Sequence, residues 1–242
     1  MKKLVLATLL AAAFGVAQAQ TVSLYGILDG GVRYDSKADS ANADKTAIVS
    51  GAQSTSRFGI KGTEDLGGGL ATKFQLESGI SIGTGANSQQ SATGSVLFDR
   101  FAWVGLSSNT FGEVQVGRNT NVNYDFAAQG ITDPLAQALD GVSTPVGVNT
   151  NSTALRVNQT VNVVGSTNGF KTTRSDNQIK YINTIGGVTV VAGFAPGGVA
   201  GDNSAKSNYN LGVKGTFAGV TGTVAYYKDD AAAKNKSTIG SL

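Results

Sequence analysis

Residues 56–79 read SRFGIKGTEDLGGGLATKFQLESG, in which two alternating segments lie on either side of three consecutive glycines. In an extended chain Phe58 and Ile60 point to one side, and Arg57 and Lys61 point to the other. The second segment repeats this alternation, with lysine, glutamine and glutamate opposite its apolar side. Glycines between two such segments suit a tight turn. The stretch therefore predicts a β-hairpin with one apolar face and one charged face.

Hairpins of the same kind are predicted along the rest of the chain. The paired segments are 98–107 with 113–117, 176–185 with 188–195, and 209–217 with 220–228. A first strand at 22–34 and the start of a last one at 236–242 bring the prediction to nine or ten antiparallel strands. The longer polar connections at 36–55, 83–96 and 197–207 alternate with short glycine turns. This asymmetry is typical of outer-membrane β-barrels.

Alternation alone is compatible with two all-β architectures. A secreted β-sandwich buries its apolar face against a second sheet, whereas a transmembrane barrel turns that face toward lipid. The chain has 33 glycines among 242 residues and no cysteine, although it carries a signal for export. These features favour the barrel, and the sandwich remains the alternative.

The export signal occupies residues 1–19. Its basic start, Met1-Lys2-Lys3, is followed by a largely apolar stretch at 4–16 and by the small-residue cleavage site Ala17-Gln18-Ala19. We therefore expect a cleaved signal peptide and a mature chain beginning at Gln20. Loss of Lys2 and Lys3 lowers the formal net charge from +3 to +1, so a nucleic-acid partner has no support.

The composition also excludes several kinds of chemistry. The chain contains no cysteine and no histidine, which rules out disulfides, thiol nucleophiles, histidine-based triads and the usual zinc sites. We accordingly predict a protein that is not an enzyme and that uses no cofactor and no metal.

Four segments carry a family likeness: LYG at 24–26, the hairpin at 56–79, FDRFAWVGL at 98–106 and VGRN at 116–119. Together they resemble the Gram-negative general porins, in particular those of β-proteobacteria. The resemblance implies an antiparallel transmembrane β-barrel of the sixteen-stranded type in the outer membrane. It further implies a homotrimer that lets ions and small hydrophilic solutes diffuse passively. A non-conducting outer-membrane adhesin or structural barrel is the alternative.

The resemblance also implies a constriction, in which arginines on the barrel wall face acids on a long loop folded into the pore. By motif, the wall positions are Arg57, Arg100 and Arg174, and alternation adds Lys61 and Lys73 to the charged face. The loop is expected at 119–173, and its acids are Asp125, Asp133 and Asp140. The excess of cationic residues on the charged face predicts weak anion selectivity.

The sequence departs from the family pattern in three places. The loop lacks the Pro-Glu-Phe-Gly stretch of enteric porins, for which Asp133-Pro134 is the nearest substitute. Arg118 has the parity of apolar residues, which a β-bulge or a position outside the membrane would explain. The chain ends at Leu242 without a terminal phenylalanine strand, so we expect the N-terminal part of a longer barrel that lacks roughly six or seven strands. Phe101 and Trp103 are expected in the interfacial aromatic girdle.

Overall fold

A computed structural model describes residues 21–38, 41–51, 54–87, 96–122, 124–128, 162–164, 174–202, 204–230 and 236–241. The expected signal peptide, residues 1–19, lies outside these ranges, as do the loop acids Asp133 and Asp140. Across the described residues there is no helix with the length and hydrophobicity needed to span a membrane.

The described residues form β-strands and one short helical turn. The strands are β1 Thr21–Ile27, β2 Gly30–Asp35, β3 Lys45–Ser50, β4 Arg57–Gly67, β5 Leu70–Gly79, β6 Phe101–Ser108, β7 Gly112–Thr120, β8 Asn162–Val164, β9 Arg174–Ile185, β10 Val188–Ala195, β11 Asn208–Phe217, β12 Val220–Asp229 and β13 Lys236–Ser241. A single turn of π-helix spans Tyr124–Ala128.

Eleven strands form one antiparallel sheet in the order β1-β4-β5-β6-β7-β9-β10-β11-β12-β13-β8. Apart from the short strand β8, its members follow one another along the chain as a meander. This confirms the all-β antiparallel fold. The meander without β8 has ten strands, the upper of the two expected numbers, whereas β3 and β8 were not expected as strands. Strands β2 and β3 form a separate two-stranded sheet.

The two faces of the large sheet differ sharply in polarity. Apolar side chains lie exposed on one face, which we call the outer face; Leu24 is 77% exposed, Val104 59% and Leu211 52%. The opposite, inner face carries Glu77, Gln178 and Lys180, all of them buried. A soluble sandwich would bury the apolar face and wet the polar one. The described residues do the reverse, which argues against the sandwich and agrees with a sheet that meets lipid on its outer face.

The turns form as their glycines predict. Strands β9 and β10 are joined by Gly186 and Gly187, whose φ angles are +57° and +82°. A two-residue turn with positive φ at both positions matches the right-handed twist of the flanking strands, and glycine adopts that backbone without steric cost.

The first strand and the first connection differ from the prediction. The segment expected as one strand at 22–34 is divided at Leu28-Asp29, and the connection expected at 36–55 contains β3, which pairs with β2. Asp29 fixes the break: its backbone N donates to Ser56 Oγ at 2.9 Å, and its carbonyl accepts from the same hydroxyl at 2.8 Å. Ser54 N donates to its carboxylate at 2.6 Å.

The expectation of an aromatic girdle at Phe101 and Trp103 is wrong. Strand β6 begins at Phe101, and its register pairs Phe101 with Glu77 and Trp103 with Gln75. Directly paired residues project from the same face, so both rings lie on the inner face. The backbone is irregular at 97–100, and alternation counted from Phe98 therefore does not carry over into the strand.

Candidate functional site: the inner face of the sheet

A single carboxylate organises the cationic residues toward the end of the inner face that lies away from the short turns. Glu77 on β5 is 3% exposed, and its Oε1 lies 2.5 Å from Nε of Arg100. Its Oε2 accepts a hydrogen bond from the Tyr25 hydroxyl at 2.8 Å and lies 3.9 Å from Nε of Arg57. Two guanidinium groups therefore share one carboxylate, which leaves this cluster with a net positive charge.

Gly59, the first glycine of the FGIKG motif, makes room for this cluster. The register places Gly59 on β4 between Tyr25 on β1 and Glu77 on β5. A Cβ on Gly59 would lie 2.6 Å from the Tyr25 hydroxyl, so a side chain there would block the path of Tyr25 to Glu77. Gln75 Nε2 donates to the same hydroxyl at 2.7 Å. Lys61 Nζ lies 5.3 Å from the centroid of the Tyr25 ring, within the range of a cation–π contact.

Arg174 is held by aromatic rings. It begins β9 and is buried, with its guanidinium carbon 5.4 Å from the centroid of Phe101 and 5.2 Å from that of Tyr124. Both distances are within cation–π range. Since Phe101 is paired with Glu77 in the register, Arg174 lies beside the cluster that holds Arg57 and Arg100.

Lys73 lies apart from the arginines. Its Nζ is 2.7 Å from Oε2 of Glu113 on β7, and it is four positions along β5 from Glu77, which in a strand is about 13 Å. Lys73 and Glu113 line a cleft of about 230 Å³ together with the β6–β7 turn and Ile182 on β9. Among the five expected wall cations, Lys73 thus belongs to the end of the sheet near the short turns.

A β-bulge accounts for the parity of Arg118. The β7–β9 register shifts between Gly117 and Asn119, and the φ of Gly117 is +137°. Such a bulge turns the next side chain away from strict alternation. The guanidinium of Arg118 pairs with the carboxylate of Asp176, and its Nε donates to the carbonyl of Asp99 at 2.8 Å.

The chain that leaves β7 folds onto the inner face. Val122 is fully buried and Phe126 is 4% exposed. Both pack against Val191 on β10 and Ala225 on β12, with the partly buried Ile182 at the margin of the cluster. Residues at the start of the expected loop are therefore in contact with the inner face of strands β10 and β12.

Asp125 meets a lysine of the wall. Its Oδ2 lies 2.6 Å from Nζ of Lys180 on β9, and its Oδ1 accepts from the Thr120 hydroxyl at 2.6 Å. Lys180 also donates to the Thr120 carbonyl at 3.2 Å. Of the three expected loop acids, this is the one within the described residues, and its ionic partner is Lys180, not one of the expected arginines.

Sequence reasoning missed several of these participants. Tyr25, Phe126 and Lys180 were not among the candidate constriction residues. Alternation along their strands does place Tyr25 and Lys180 on the inner face, and this pattern could have identified them as candidates. Nothing in the local pattern indicated that Phe126 would reach the wall.

Known proteins resemble this chain along most of its length. The family model for Gram-negative porins matches residues 6–241. An outer-membrane porin of Bordetella pertussis is 35% identical over 78% of this chain and 53% of its own length. Outer membrane porin protein 32 of Delftia acidovorans is 43% identical over 54% of this chain and 37% of its own length. The chain thus spans about half the length, or less, of these relatives.

Solved structures share the fold. An anion-selective porin from Comamonas acidovorans superposes with a TM-score of 0.65 at 24% identity, over 91% of this chain and 62% of that one. OmpF of Salmonella typhi, in complex with daunomycin, gives a TM-score of 0.54 at 17% identity, over 90% of this chain and 59% of that one. With the outward apolar face, the inward charges and the match along nearly the whole sequence, the chain belongs to the Gram-negative porin family, whose members reside in the outer membrane.

Proposed function

We propose that this chain forms the wall of an outer-membrane channel through which ions and small hydrophilic solutes diffuse passively. The observation that carries the proposal is the placement of charge: Glu77, Arg100 and Lys180 lie on the inner face while the outer face is apolar. A pore acts by its width and by the electric field of its lining. Such a channel needs no catalytic step and no cofactor.

The balance of charges on the inner face supports weak anion selectivity. The pairs Lys73–Glu113, Arg118–Asp176 and Lys180–Asp125 each match one cation with one acid. Arg57 and Arg100 instead share Glu77, which gives that cluster an excess of positive charge. A positively charged lining attracts anions and repels cations. The similarity to a porin described as anion-selective points the same way.

Three further parts of the proposal come from family membership. We propose that the protein acts as a homotrimer, that residues 119–173 narrow the channel, and that Asp133 and Asp140 contribute to the constriction. The packing of Val122 and Phe126 on the inner face supports an inward course for the start of this loop.

Reconstitution in planar bilayers tests the proposal. Across a salt gradient we expect stepwise currents and a reversal potential that favours anions. Arg57→Gln should shift the reversal potential toward cations, because it removes charge from the Glu77 cluster. Lys228→Gln, the matched control on the outer parity of β12, should leave it unchanged. Cation preference in the unaltered chain would contradict the selectivity, and absence of conductance would favour a structural or adhesive barrel.

A further inference from the structure

Gly212 is a notch in the inner face of β11. A Cβ at this position would overlap both Val122 and Phe126, and the Phe126 Cδ2 atom would lie 2.7 Å from it. Real side chains do not tolerate such an approach. The neighbouring inner-face positions on the same strand carry Asn210 and Lys214, so the gap is confined to one residue.

The notch lies within an apolar row that crosses four strands. The register pairs Ile182 on β9 with Val191 on β10, Val191 with Gly212 on β11, and Gly212 with Ala225 on β12. Directly paired residues form a line across the sheet. The adjacent inner-face positions on these strands include Lys180, Asn210 and Thr223, which are polar. The row is therefore an apolar strip on a polar wall.

Val122 and Phe126 sit on this strip, and two polar contacts fix their orientation. The backbone N of Val122 donates to Asn210 Oδ1 at 3.3 Å. Asp125, next to Phe126, pairs with Lys180 at 2.6 Å. The strip would face water if the segment were withdrawn, so burial of the two apolar side chains favours the docked position.

We infer that the strip Ile182-Val191-Gly212-Ala225 is a docking site for the side chains of Val122 and Phe126, with Gly212 as the positioning residue that sets how closely they approach the wall. The inference deepens the proposed function, because the docked segment begins the loop that we propose narrows the channel. A larger residue at Gly212 would push the segment away from the wall, and loss of the Phe126 ring would release it.

Thiol labelling tests the docking without reference to conduction. The chain contains no cysteine, so Ala225→Cys introduces a single thiol beneath Phe126, where Ala225 is 1% exposed. We expect slow reaction with a hydrophilic maleimide, and a rate about tenfold higher or more when Phe126→Ala or Gly212→Val is added, because truncated or displaced packing exposes the site. Lys214→Cys, on the same inner face, should react at one rate in all three backgrounds. Equal rates at Ala225→Cys in every background would overturn the inference.

A complementary pair separates docking from general damage to the fold. Gly212→Val should change the single-channel conductance and lower the thermal unfolding midpoint. Gly215→Val on the outer face of the same strand, where the nearest atom to a Cβ is 3.6 Å away, should change neither. Adding both Val122→Ala and Phe126→Ala to Gly212→Val should restore part of the midpoint, because both of the side chains that a Cβ at position 212 would overlap are then truncated. No restoration would contradict the contact.

The two readouts distinguish the docking from the proposed channel. If labelling behaves as expected while no variant conducts, the docking stands and the proposed channel fails. If the protein conducts while the labelling rates are equal in every background, the channel stands and the docking fails.

Discussion

Glu77 is the residue whose charge most directly affects the proposed selectivity, because Arg57 and Arg100 both depend on it. Glu77→Gln keeps a hydrogen-bond acceptor for the Tyr25 hydroxyl but removes the negative charge. We expect the reversal potential in a salt gradient to move toward anions, since the cluster gains net positive charge.

Glu113→Gln is the matched control for this change. It removes the same charge beside Lys73, at the end of the sheet near the short turns, and we expect a smaller shift. A shift toward cations in Glu77→Gln, or equal shifts in the two variants, would contradict the role given to Glu77.

Ala218 is strained in the turn between β11 and β12. Its φ is +50°, and the φ of the following Gly219 is +82°. Alanine pays a steric cost of about 1 kcal/mol in this backbone region, whereas asparagine followed by glycine is well suited to it. Ala218→Asn should therefore raise the free energy of unfolding by about 0.5 kcal/mol or more in a urea titration in phospholipid. Gly219→Ala should lower it, and the same sign for both variants would contradict the argument.

Among the elements, the β7 bulge depends on Gly117. Its φ of +137° is rarely adopted by L side chains, and a Cβ there would lie 2.8 Å from Cα of Trp103. Gly117→Ala should destabilise the protein by about 1–3 kcal/mol, measured as a lower urea midpoint. Gly31→Ala is the control, because its Cβ would meet only an atom 3.9 Å away. Unchanged stability in Gly117→Ala would show that β7 forms without the bulge.

Alternation predicted the elements where the backbone is regular. The β4–β5 hairpin and the glycine turn at Gly186-Gly187 formed as expected, and the anomalous parity of Arg118 corresponds to a real bulge. The predicted strand bounds and side-chain parity were wrong where the backbone departs from regular β-structure. Asp29 divides the first strand through hydrogen bonds to serines some 25 residues away along the chain, and the bend at 97–100 resets the parity of β6.

For the molecule as a whole, the outer face must tolerate lipid and the inner face must tolerate charge. Leu211→Arg on the outer face of β11 should cost about 2 kcal/mol or more in bilayers, measured by reversible unfolding in phospholipid vesicles. Thr189→Arg adds the same charge to the inner face of neighbouring β10 and should change stability by no more than about 0.5 kcal/mol. Equal costs would contradict the assignment of the faces.

The candidate site was less predictable than the fold because its contacts cross the sheet. Arg57 and Arg100 were identified by motif, but their shared partner Glu77 follows from strand register. Two other contacts depend on the course of the chain after β7, which no local pattern encodes: the ion pair of Asp125 with Lys180 and the packing of Phe126 on the sheet. Asp133 and Asp140 remain predictions, since they lie outside the described residues.

Strands β7 and β9 are neighbours in the sheet although a long connection separates them in the sequence. Thr120, where the chain leaves the wall, is directly paired with Arg174, where it returns, so the ladder itself is insensitive to how many residues intervene. Doubling the length of a flexible connection costs only about 0.6 kcal/mol of closure entropy. A reporter peptide or recognition epitope inserted between residues 129 and 161 should therefore leave the paired strands β7 and β9 in register.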